Sequence, residues 1–130
     1  MKIEINTPEK MFELWQEIAK KHKIILLFGD LWAGKTLLTK WFASELWIDR
    51  DKVQSPTYAY LNSYDEKLLH IDMYRIENEH DVWEKWINDQ IVNHEYIAIE
   101  WPKFISILDI KDYISVEITK DWDKRIVEIT

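Results

Sequence analysis

Eight consecutive residues, Gly29-Asp30-Leu31-Trp32-Ala33-Gly34-Lys35-Thr36, have the types and spacing for phosphate chemistry. They fit the pattern G-x-x-x-x-G-K-[ST], and the apolar run Ile24 to Phe28 leads directly into them. Such a loop works because a glycine-permitted turn lets successive backbone N–H groups converge on phosphate oxygens at a helix N-terminus. Lys35 is expected to neutralise phosphate charge and Thr36 to ligate magnesium, so the pattern predicts a bound nucleoside triphosphate such as ATP with Mg2+. The plainer alternative is a Gly-Lys-Thr helix start with no ligand.

Three more groups of residues can serve such a site. Along Leu68 to Tyr74, alternation puts His70, Asp72 and Tyr74 on one face and Leu69, Ile71 and Met73 on the other. A His-x-Asp pair can hold a transition metal, but oxygen donors suit magnesium better than imidazole does. Asp72 is therefore expected near the metal or the attacking water, with His70 orienting Asp72. A polar strand face turned to solvent is the alternative. Glu100 ends the run Tyr96-Ile97-Ala98-Ile99, where an acid can hold magnesium opposite Thr36 or simply sit on the surface. Trp101, next in line, either stacks on a base or partner or caps the core. Ser55-Pro56-Thr57 has the place of a loop that senses the terminal phosphate through Thr57, and is equally readable as an ordinary proline turn.

These residues need elements to hold them. Pro8 to about Lys21 reads as a surface helix with Phe12, Trp15, Ile18 and Ala19 on its inner face and Thr7 as N-cap. Ile24 to Phe28 reads as a strand buried on both faces, followed by a helix from Lys35 to about Leu46. Tyr58 to Tyr64 and Leu68 to Tyr74 read as an antiparallel hairpin turning at Asp65-Glu66-Lys67. Glu79 to about Asn93 should be helical with a break near Trp86, and Tyr96 to Ile99 a second buried strand. Tyr113 to Thr119 and Arg125 to Ile129 can pair through a turn at Asp121 to Lys124.

The 130 residues, 47% hydrophobic and without Gly/Ser/Pro-rich linkers or repeats, suit one domain spanning 1–130. No signal-peptide order or membrane-length apolar run is present, so a soluble protein with no membrane association is expected. The absence of cysteine removes thiolate catalysis and thiolate zinc sites and suits a reducing cytoplasm. A net charge of −7 argues against a self-sufficient nucleic-acid binder, which needs a basic footprint.

Glycine and tryptophan are out of proportion. The chain has 2 Gly and 8 Trp, where average usage of about 7% predicts roughly nine glycines. Trp32 lies inside the phosphate loop, Trp47 just past a helix end and Trp122 in a hairpin turn. The last two positions often require positive φ, which is cheap for glycine and costly for an indole. The simplest explanation is a recoded codon, written as tryptophan but read as glycine in the source, at Trp15, Trp32, Trp41, Trp47, Trp86 and Trp122. The alternative is a sequence that is tryptophan-rich in fact.

Taken together, the phosphate loop, Ser55-Pro56-Thr57-Tyr58, His70-x-Asp72-x-Tyr74-Arg75 and Ile99-Glu100-Trp101 resemble the bacterial tRNA threonylcarbamoyladenosine biosynthesis ATPase family, TsaE. The resemblance covers most of the chain. It implies an α/β fold: one P-loop NTPase domain with a mixed, mainly parallel central sheet, an antiparallel hairpin and flanking helices. It further implies a Mg-dependent ATPase that assists the TsaB and TsaD proteins and meets tRNA only indirectly. Carried over by position, the cofactor-binding residues are Gly29 to Thr36 and Thr57. Lys35 binds phosphates, Thr36 and Glu100 hold magnesium, and Asp72 serves the metal or catalytic water. The family typically has glycine where this chain has Trp15, Trp32, Trp41, Trp47 and Trp86, whereas Trp101 matches, which strengthens the recoding reading. A small-molecule P-loop kinase would need an arginine-rich lid that is not visible, and a non-catalytic nucleotide-dependent adaptor would share the loop without the hydrolysis.

Overall fold

Four strands rich in Ile, Leu and Val, residues that suit a sheet covered on both faces, pair in parallel at the centre of this computed structural model. The structure describes residues 1–29, 35–48 and 61–130, with 35–38 and 41 as backbone only. In chain order the elements are β1 (Lys2–Ile5), α1 (Pro8–Lys21), β2 (Ile24–Gly29), α2 (Lys35–Glu45), β3 (Leu61–Tyr64) and β4 (Leu68–Asp72). They continue with α3 (Glu79–Glu84), α4 (Ile87–Val92), β5 (Tyr96–Glu100), β6 (Ile114–Asp121) and β7 (Lys124–Ile129). The seven strands form one mixed sheet in the order β1-β7-β6-β2-β5-β4-β3. The parallel core β6-β2-β5-β4 is flanked by antiparallel β7 and β1 on one side and β3 on the other. This is the α/β architecture that the resemblance implies.

Alternation along the central strands assigns each residue to one of two cores. Ile25, Leu27, Leu68, Ala98, Val116 and Ile118 pack with Trp15 and Ile18 of α1 and Phe42 and Ala43 of α2. Leu26, Leu69, Ile71, Ile97 and Ile99 pack on the opposite face with Val82 of α3, Ile87 and Ile91 of α4, and Leu108. Gln16 of α1 donates to Glu45 of α2 at 2.9 Å, tying the two helices of the first face together.

Local chemistry sets the element ends. The Thr7 side chain accepts from Lys10 N at 3.2 Å, as expected of the α1 N-cap. The helix expected over Glu79 to Asn93 is two six-residue helices, broken at Trp86, whose φ is 57°. β1 is not legible in the sequence, because four residues carry too little pattern. It forms because β7 offers an open antiparallel edge, with Lys2 opposite Glu128 and Ile5 opposite Arg125. The described part of the first hairpin strand begins at Leu61. Its partner ends at Asp72 rather than Tyr74, because Met73 N turns to Glu100 O and Tyr74 N to Asp72 Oδ1.

Gly29 ends β2 with φ +127°, opposite Ile118 of β6. A Cβ there would lie 2.2 Å from the Ile118 carbonyl oxygen. The sheet itself therefore demands glycine at this position, independently of any ligand.

Candidate functional site

The site begins where parallel strands end. β2 runs into the phosphate-loop motif at Gly29, and α2 starts at Lys35, where the sequence predicts it. Asp30, Leu31, Trp32, Ala33, Gly34 and Thr57, with Ser55 and Pro56, lie outside the described residues, as do the side chains of Lys35 and Thr36. In open α/β sheets ligands bind beyond the carboxyl ends of the strands, which is where this loop lies in the chain path.

Beside β2 runs β5, with Leu27 opposite Glu100, and beside β5 runs β4, with Asp72 opposite Glu100. Register partners share a face. Glu100, Asp72 and His70 therefore stand on the face that carries α2, since Leu27, Leu68 and Ala98 of the same face pack in the core with Phe42 and Ala43. The fold brings together the two carboxylates that the sequence analysis singles out and puts them on the phosphate-loop helix's side of the sheet.

Their surroundings differ. Glu100 is 4% exposed, so it is not a surface acid at a strand end. Its backbone is pinned on both sides: Met73 N donates to Glu100 O at 3.0 Å, and Trp101 N donates to Leu27 O at 3.1 Å. Asp72 is half-buried, and its Oδ1 accepts from Tyr74 N at 2.9 Å, a local turn that limits the rotamers of the carboxylate.

His70 corrects two expectations. It is fully buried, so this strand face is not turned to solvent, and its Nε2 lies 2.6 Å from Glu100 Oε2. The hydrogen-bond partner of the imidazole is thus Glu100 on the neighbouring strand and not Asp72 on its own. Alternation along β4 identifies the shared face, but only the β4–β5 register reveals the partner.

Past the strand ends, the Trp101 ring packs edge-on against Tyr74 at 5.3 Å, with Trp101 at φ 53°. Lys103, which sequence reasoning does not single out, donates to Tyr74 O and Ile76 O at 2.9 Å each. These contacts brace the segment leaving β4 against the segment leaving β5. No pattern in the sequence announces the Lys103 contacts, which depend on two chain exits meeting.

A family model described as "Threonylcarbamoyl adenosine biosynthesis protein TsaE" matches residues 5–127. The tRNA threonylcarbamoyladenosine biosynthesis protein TsaE of Aquifex aeolicus is 32% identical over 132 residues, covering 96% of this chain and 92% of that one. Its counterpart from Rickettsia felis is 29% identical over 125 residues, covering 93% and 72%. The crystal structure of Bacillus subtilis YdiB superposes with a TM-score of 0.66 at 22% identity, covering 98% of this chain and 82% of that one, and so shares its fold.

Proposed function

The chain belongs to the TsaE family of threonylcarbamoyl adenosine biosynthesis proteins, and we propose that it is the ATP-binding, ATP-hydrolysing accessory protein of tRNA threonylcarbamoyladenosine formation, acting with TsaB and TsaD. One observation carries the nucleotide half of this reading: Glu100 and Asp72 stand side by side on the α2 face, at the ends of the first and second strands beyond the one that feeds the phosphate-loop motif. The family relation supports the tRNA half.

The donor set suits magnesium. Among the described residues no group of three His, Cys, Asp or Glu side chains could hold a metal by itself. Magnesium is usually held by one or two carboxylates together with substrate phosphates and water, and two adjacent carboxylates are what this site offers. In this reading Glu100 and Thr36 hold the ion. When bound, it would offset charge on the terminal phosphates.

The chain's own residues then divide the work. Backbone N–H groups of Gly29 to Thr36 take phosphate oxygens, and Lys35 adds a fixed positive charge. Asp72, its rotamer limited by Tyr74 N, orients the attacking water. Thr57 contacts the terminal phosphate. A reaction on tRNA implies a cytoplasmic setting. The net charge of −7 supports contact with tRNA through protein partners instead of directly.

The test is titration with a fluorescent ATP analogue followed by phosphate release. Lys35→Ala should abolish productive binding, whereas Glu100→Ala and Asp72→Ala should keep some affinity and lose hydrolysis. Full hydrolysis by Asp72→Ala removes it from the mechanism. Hydrolysis should rise when TsaB and TsaD are added, and a rate indifferent to both partners, or phosphoryl transfer to an added nucleoside, overturns the accessory role.

A further inference from the structure

We propose that His70 is a positioning residue for the Glu100 carboxylate: a fully buried imidazole on β4 aims the acid on β5 toward the α2 side of the sheet. This rests on the reading of Glu100 as a magnesium ligand and names the group that holds it in place.

The geometry is specific. His70 Nε2 and Glu100 Oε2 are 2.6 Å apart, with the residues 0% and 4% exposed. A carboxylate taken out of water needs a donor, and His70 supplies it. The register explains how the ring reaches. His70 stands opposite Ala98, a short side chain, and Glu100 is the next residue of β5 on the same face. The imidazole can therefore lean along the sheet where a larger residue at 98 would block it.

The other ring nitrogen sets the direction of the hydrogen bond. Nδ1 is buried with no hydrogen-bond partner among the described residues. A neutral ring protonated on Nε2 donates to the carboxylate and leaves only a lone pair at Nδ1. The opposite tautomer would leave an N–H donor there with nothing to receive it, and orphaned buried donors are the rarer kind. The tautomer is thus assigned from the network. Among the described residues only Oε2 of Glu100 is hydrogen-bonded, so His70 fixes one oxygen and leaves Oε1 to face a cation. A ligating carboxylate held this way is oriented before the metal arrives.

The experiment titrates Mg2+ into full-length protein carrying a fluorescent, non-hydrolysable ATP analogue. Nucleotide affinity in EDTA and the melting temperature without nucleotide are measured alongside. His70→Leu should weaken apparent Mg2+ affinity about 10–100-fold, the usual effect of removing an outer partner, while nucleotide affinity in EDTA stays within about twofold. His70→Gln carries an amide N–H of similar reach and should restore most of the Mg2+ affinity; His70→Asn is too short and should not. Parental Mg2+ affinity in His70→Leu overturns the proposal, as does a parallel loss of nucleotide affinity in EDTA, which would mark a merely structural role. Should His70→Leu fail to fold, the Gln and Asn variants decide, and equal Mg2+ affinities overturn it. Glu100→Gln separates the two readings. If it leaves Mg2+ affinity unchanged, the metal role of Glu100 fails; if it cripples binding while His70→Leu does not, only the role of His70 fails.

Discussion

Trp47 sits at the left-handed position that ends a helix. Its N–H donates to Ser44 O at 3.1 Å while Ile48 N donates to Ala43 O at 3.0 Å, the paired bonds of a Schellman end. Its φ is 62° and its indole 92% exposed, so the ring packs on little and the backbone is strained. Trp122, at φ 59° and 88% exposed, occupies the first central position of the two-residue β6–β7 turn, where glycine leads when only that residue has positive φ. Trp47→Gly and Trp122→Gly are each expected to raise stability by about 1–2 kcal/mol, the cost of the left-handed region for a residue with a Cβ, read from urea midpoints. Trp86 shares this conformation, as does Trp101 at φ 53°, so what sets Trp47 and Trp122 apart is their place at a helix end and in a two-residue turn with the indole in solvent. The coding DNA should then show one unusual triplet at Trp15, Trp32, Trp41, Trp47, Trp86 and Trp122, distinct from that of Trp101; ordinary codons at all eight tryptophans would end the idea. Trp15 makes a different case, since it is a fully buried helical residue whose backbone does not ask for glycine, although its indole N–H has no partner among the described residues. Gly29→Ala should cost about 3 kcal/mol or more in the nucleotide-free protein, because the new methyl meets a backbone carbonyl that cannot withdraw. An unchanged urea midpoint would show that β6 yields.

At the scale of elements, the β4–β5 pair carries the candidate site. Parallel register sets Asp72 opposite Glu100 and His70 opposite Ala98, so a slip of β4 by one residue would turn His70 and Asp72 to the α3 and α4 face and leave Glu100, held by β2, on the other. Ala98 is 1% exposed, and its small size keeps room beside the imidazole. Ala98→Val is expected to destabilise by about 1–3 kcal/mol through overpacking. It should also weaken Mg2+ affinity by moving the imidazole, which calorimetric titration beside a denaturation curve would check. Loss of stability with Mg2+ affinity intact would mean that the ring has other room.

For the whole molecule, charge and topology point the same way. With −7 overall, the chain lacks the excess of cations that neutralises a nucleic-acid backbone. Isolated protein is expected to bind tRNA more weakly than about 10⁻⁴ M at physiological salt, and a clear gel shift at micromolar protein would contradict it. No described helix is long and apolar enough to cross a membrane. The parallel core ends at the carboxyl edge where open α/β sheets take their ligands, the edge on which the proposed nucleotide site depends.

The sequence by itself determined the phosphate-loop motif with its leading strand, the α1 span and cap, the break near Trp86 and the two carboxylates, because each is written in short-range periodicity or in residue types at fixed spacing. It also marked Trp47 and Trp122, since turn chemistry is local. Only the tertiary structure decided that His70 pairs with Glu100, that β1 adds to the sheet edge, and that Gly29 is required by β6. Those depend on contacts across 30, 120 or more and about 90 residues of chain respectively, and local pattern carries no information about which strands become neighbours or in what register.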